Sequence, residues 1–155
     1  MPRLLVFVAC ERLLINELDQ STSLIGIIDT VTIEVPASVE ISPDTFAPQR
    51  WYIFTRWLED ILDAEGPAAY EQEVVIRSPQ GDVSNTSVIQ FVMKDKLHQV
   101  YVAVNGLPIG QEGEHVIELS LRKADQDREW EKVATYPVIV KHVQQPLTEE
   151  NTTQE

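Results

Sequence analysis

Few residues in this chain combine a reactive type with a useful spacing, and those few are scattered. Cys10 is the single cysteine. It sits in the apolar run Leu4 to Cys10, where a thiol packs as a small hydrophobe, and only Arg12 nearby offers the positive charge that would activate it. The three histidines, His98, His115 and His142, show none of the His-x-His or His-x-x-x-His spacings that place two imidazoles on one metal. A cysteine–histidine–aspartate arrangement would need a nucleophile elbow and an oxyanion loop, and the sequence has neither. Glycine-rich phosphate loops and dinucleotide fingerprints do not occur either. The densest oxygen cluster is Asp60, Asp63 and Glu65, with Asp125 and Asp127 on a second loop. Those carboxylates suit calcium if both loops share one end of the fold, and are solvated charges if they do not. These residues point to no catalytic group, metal or cofactor, and so to a non-enzymatic module.

The charge balance narrows the partners. Twelve basic residues face 25 acidic ones, a formal net charge of −13 spread along the chain. Such a field repels phosphate, which argues against nucleic acid and against anionic membrane surfaces. The close basic pairs Arg122-Lys123 and Lys94 with Lys96 are interleaved with acids and read as strand ends. The N-terminal apolar stretch is short and runs directly into Glu11 and Arg12, so it reads as a first strand and not as a leader. No run approaches the ~18–20 apolar residues of a membrane helix. A soluble, cytoplasmic protein is the expectation, and the sequon-like Asn85-Thr86-Ser87 and Asn151-Thr152-Thr153 are then chance matches.

The elements that must position these residues are strands. Apolar stretches with alternating side chains recur between short turn-forming clusters, and no helical period is sustained. Two reversals stand out: Ser78-Pro79-Gln80-Gly81-Asp82, where Pro presets φ and Gly accepts positive φ, and Lys123 to Arg128. Segments 3–16 and 22–35 form a first pair of long strands joined by 17–21. Asp29 falls among apolar neighbours, which places it at a sheet end or beside a bulge at Gly26. Residues 36–49, with three prolines, cross between sheets, and further strands follow at 50–58, 70–77, 88–93, 100–104, 116–122 and 130–140. Pro137 cannot donate a ladder bond, so its strand lies at an edge or bulges there. A single helical turn is allowed within 59–66 or within the 36–49 loop. The expected fold is all-β: a two-sheet antiparallel β-sandwich, immunoglobulin-like or jelly-roll-like, of about eight strands. It spans 1–144 as one domain, with 145–155 a disordered acidic tail. The core is expected to contain Val6, Val8, Ile27, Val31, Ile53, Val74, Ile76, Phe91, Val102, Ile117 and Leu119.

One strand breaks the one-sided rule. In Arg50 to Leu58 the residues Trp51, Ile53 and Trp57 point one way while Tyr52, Phe54 and Leu58 point the other, and both faces are apolar. Only one face fits inside a two-sheet sandwich. Trp51, Tyr52, Phe54, Trp57 and Leu58 are therefore the candidate interface, covered by a second copy in a symmetric dimer or by the 36–49 loop. The resulting expectation is a protein-interaction or structural module with a protein or its own copy as partner. The alternative is a small-ligand or carbohydrate carrier that stacks a sugar on Trp51, Trp57 or Trp130.

The stretches Ser23-Leu24-Ile25-Gly26-Ile27, Ser78-Pro79-Gln80-Gly81 and Gly113-Glu114-His115 together resemble a family of small bacterial proteins known only as a domain of unknown function. The likeness spans residues 4 to about 141 and consists of turn and strand signatures. It implies a bacterial all-β protein and transfers no catalytic or binding residue. The aromatic strand around Trp51 to Trp57 and the acidic tail lie outside that pattern.

Overall fold

Turn chemistry closes the hairpins where it was expected. At the Ser78 turn, Ser78 N donates to Asp82 O (2.8 Å), Gly81 N donates to Ser78 O (2.9 Å), and Gly81 takes a φ of 92°. The computed structural model describes residues 1–59 and 66–145, and within them regular structure is entirely β. The nine strands are β1 (Arg3–Ile15), β2 (Thr22–Ile27), β3 (Thr30–Val35), β4 (Phe46–Leu58), β5 (Ala68–Arg77), β6 (Val83–Met93), β7 (Leu97–Pro108), β8 (Gly113–Lys123) and β9 (Glu131–Gln144). They form two sheets, a four-stranded one in the order β2-β1-β4-β7 and a five-stranded one in the order β3-β9-β8-β5-β6. The 36–49 segment holds no helical turn, and the expected tail from 146 onward, the turn at 60–65, and Asp60, Asp63 and Glu65 lie outside the described residues.

The expected single strand over 22–35 is two strands in different sheets. Gly26 at φ 68° and the corner at Ile28-Asp29 turn the chain from one layer to the other. Ile28 N bonds back to Ala9 O (2.9 Å) in the four-stranded sheet, while Asp29 O accepts from Ile139 N (2.8 Å) in the five-stranded one. Asp29 itself is exposed, at a sheet end as expected. Because β3 enters from that corner, it runs parallel to β9, and the sandwich is antiparallel everywhere else. The same arrangement accommodates Pro137. Parallel pairing with β3 begins only at Thr30 opposite Ile139, so Pro137, two residues earlier, turns its missing N–H toward an open edge.

The core lies between the sheets and includes Ile53, Val74, Ile76, Phe91, Val102, Ile117 and Leu119, all as expected. Val31 is half-buried against it. Three expectations need correction. Ile27 is 53% exposed, because the corner sends Ile28 inward in its place. A register shift between Leu4 and Val6 gives β1 the inward set Leu4, Phe7 and Ala9, so Val6 and Val8 are half-buried on the opposite face.

Candidate functional site

The two-sided strand is β4, central in its sheet between β1 and β7. Its inward face carries Trp51, Ile53, Thr55 and Trp57, all buried. Thr55 Oγ1 and Trp57 Nε1 both donate to Oε1 of Gln72 on β5, at 2.8 Å and 2.9 Å. This buried polar knot bolts the two sheets together and leaves Gln72 Nε2 without a partner. Trp51 Nε1 donates to Gly106 O (3.0 Å).

The outward face of β4 is also covered, by the chain itself. Phe54 is only 3% exposed although it points away from the five-stranded sheet. The cover is the hairpin formed by the far half of β1 with β2. Thr22 Oγ1 donates to Gln99 Oε1 on β7 (2.8 Å), and Gln20 lines a surface hollow with Arg56, Leu97, His98 and Gln99. Since β1 and β4 separate β2 from β7 in the sheet, the hairpin reaches Gln99 only by folding back over the outer face as an arm. Leu13, Thr22 and Leu24 are the half-buried side of this arm, while Leu14 and Ile25 face outward.

Of the five candidate interface residues, Trp51, Phe54 and Trp57 are buried within one chain and present nothing to a partner, while Tyr52 and Leu58 are half-buried. Neither the 36–49 loop nor a second copy is needed to cover them. The burial of Trp51 and Trp57 also removes them as sugar platforms. Trp130 has one face occupied by the Arg122 guanidinium, 4.2 Å from the ring centroid.

What remains open is a side of the sandwich. The edge strands β6 and β7 follow one another across the Lys94-Asp95-Lys96 turn and border the same side, one from each sheet. Neither β6 (11 residues) nor β7 (12 residues) contains an Asp, Glu, Lys or Arg. The chain as a whole is 24% charged, a rate at which each strand would hold about two or three. Val88, Val92, Leu97 and Tyr101 are exposed along them. Among the described residues the outer N–H and C=O rows of both strands pair with nothing in the sheets. Edge strands are normally guarded by charge, proline or cover, and this pair carries no charge to guard it. Its one local signal is a pair of charge-free windows, 83–93 and 97–108, and composition alone does not say that such windows fall on sheet edges.

The reactive types are dispersed. Cys10 is buried, and burial raises its thiol pKa above the ordinary value, away from nucleophile behaviour. His98 stacks on Phe91 (5.0 Å between centroids), and its burial there lowers its pKa. His142 bonds through Nε2 to Ile109 O. His115 is buried at the far end of the fold. Asp125 and Asp127 are exposed, and among the described residues no group of three His, Cys, Asp or Glu side chains converges on a metal-sized site. No helix among those residues is long and apolar enough to cross a membrane.

No family model and no curated protein matches the chain. Among solved structures it is similar to one described as the C-terminal domain of wzt, at 7% identity and a TM-score of 0.44, over 72% of this chain and 70% of that one. At that level the likeness carries no residue and no activity across.

Proposed function

We propose that this protein is a non-enzymatic interaction module whose partner is a second copy of the chain, joined through the β6 and β7 edges. The observation that carries this reading is the absence of charge from both edge strands. A chain of charge −13 repels its own copy over most of its surface, and least along a strip without carboxylates. Backbone N–H and C=O rows supply the attraction, and Val88, Val92, Leu97 and Tyr101 supply apolar area beside them. A two-fold axis normal to the sheets sets β7 antiparallel to its copy and β6 antiparallel to its copy, so the same patch meets itself and the association closes as a dimer. Sedimentation equilibrium tests this. The parent chain is expected to move from monomer to dimer mass with concentration. The double variant Val88→Lys with Tyr101→Lys is expected to stay monomeric with its β-type circular dichroism unchanged. A parent that is monomeric throughout, or a double variant that dimerises as well as the parent, rejects the reading.

A further inference from the structure

At one end of the sandwich three segments meet: the 36–45 connection, the Ser78 turn and the β7–β8 loop. Their junction is tight and therefore fixed. Ile109 N and Gly110 N both donate to Thr45 O (3.1 Å each), and a Cβ on Gly110 would lie 2.2 Å from Ser42 O, so only glycine permits the contact. Between these segments lies a cleft of about 260 Å³ whose lining includes Asp44, Phe46, Ser78, Asp82, Gln111 and His115.

Two buried polar atoms of that lining have no partner. His115 is only 2% exposed, and its Nε2 lies 3.0 Å from Gln111 O. A carbonyl oxygen only accepts, so Nε2 donates, and in the uncharged ring Nδ1 is a bare lone pair. That Nδ1 has no partner, and neither does the buried side-chain Oε1 of Gln111. Buried polar atoms without partners are rare in folded proteins, because each forfeits its hydration. Ser78 Oγ accepts from Asp82 N (3.2 Å). Asp44 and Asp82 add two carboxylates, and no Lys or Arg lines the cleft. The two buried atoms left without a partner are both acceptors, and two carboxylates share their lining. Phe46, 47% exposed, offers an aromatic face beside it.

We infer that this cleft binds a small organic ammonium ion, with its N–H donors directed at His115 Nδ1, Gln111 Oε1 and the carboxylates and its alkyl portion against Phe46. An ammonium carries three donors on one atom and a positive charge, which matches two orphaned acceptors in a cleft that two carboxylates also line better than a neutral polyol does. The aromatic face favours the same ion. This is independent of edge pairing, since it concerns loops at the strand ends and is read by a different measurement.

The experiment is a nuclear magnetic resonance titration at neutral pH with butylammonium, and with glycerol as the neutral probe, following the His115 ring nitrogens and the amides of 78–84 and 109–115. Butylammonium is expected to produce saturable shifts that include His115 Nδ1, and glycerol is not. Gln111→Leu and Asp82→Asn, both on loops, are expected to keep the parent fold and each weaken butylammonium about tenfold or more. The inference is overturned if butylammonium gives no saturable shift, which leaves solvent as the cleft's occupant. It is equally overturned if glycerol binds as well, or if both variants bind as the parent does.

Discussion

The outer faces of the two sheets are built from the same alternating rhythm and end as opposite surfaces. On the five-stranded sheet the outward positions include charged residues paired across strands. Arg77 Nε meets Glu118 at 3.1 Å, Lys132 Nζ meets the same carboxylate at 2.9 Å, and Arg122 Nε meets Glu71 at 2.6 Å while its guanidinium covers Trp130. On the four-stranded sheet the outward positions include Val6, Val8, Tyr52 and Phe54, and the chain folds its own hairpin arm over them, pinned by Thr22 to Gln99. A face that tolerates water is left to ion pairs, and a face that does not is roofed. The difference teaches that β4's two apolar sides mark an internal third layer, and that what the fold leaves uncovered is the uncharged edge.

The sharpest way to break this comparison is to truncate one outward residue on each face. Phe54→Ala removes a buried ring beneath the arm and is expected to cost about 3–5 kcal/mol of unfolding free energy. Glu73→Ala, on the outward face of β5, is expected to stay within about 0.5 kcal/mol. Urea unfolding of both variants decides it. Equal midpoints would mean that Phe54 is not covered and that the arm is no roof.

The knot between the sheets gives the next effect. Gln72→Leu keeps the volume but leaves Thr55 Oγ1 with only its longer contact to Val100 O (3.3 Å) and strands Trp57 Nε1. The expected loss is about 2–4 kcal/mol, from unsatisfied buried donors. A neutral or stabilising result would show that the unpartnered Gln72 Nε2 already offsets what its Oε1 contributes. The arm's pin is weaker. Thr22→Val is expected to cost about 1 kcal/mol, with faster amide exchange in 11–27 than in the five-stranded sheet. Unchanged exchange there would show that apolar contact alone holds the arm down.

Much of the fold was legible because turn residues and alternation act locally. The Ser78 reversal, the crossing segment, the Pro137 constraint and the one-sided strands β5 and β8 all follow from neighbours in sequence. The arm was not legible. Residues 11–15 and 22–27 alternate like any sheet hairpin, and only the distant Thr22–Gln99 bond reveals that they lie on top of a sheet and not beside it. Ile27 was misplaced for a related reason: the change of layer at Ile28-Asp29 rests on long-range bonds from Ala9 and Ile139, and a left-handed Gly26 was its one local sign. The loop-end cleft was equally hidden, since Asp44, Asp82 and His115 come from three separated segments whose meeting depends on topology.

The smallest effect sharpens the comparison from the charged side. Glu118 is held below its ordinary carboxylate pKa, first by the hydrogen bond from Lys132 and then by Arg77, with partial burial opposing them. A folded-state pKa below the unfolded one means that the unfolded chain binds the proton more readily. The pair's contribution is therefore fully present above the ordinary Glu value and fades as pH falls through the lower folded value. All three side chains are partly exposed, so the effect is modest and shrinks with salt. Stability measured downward through the carboxylate range should fall slightly less steeply in Glu118→Gln than in the parent at low ionic strength, and the two slopes should converge in high salt. No such flattening is expected from Phe54→Ala, which removes no ionisable group. An identical acid slope in parent and Glu118→Gln would mean that the Arg77–Glu118–Lys132 triad is ornament on that face, and that strand alternation alone keeps it open to water.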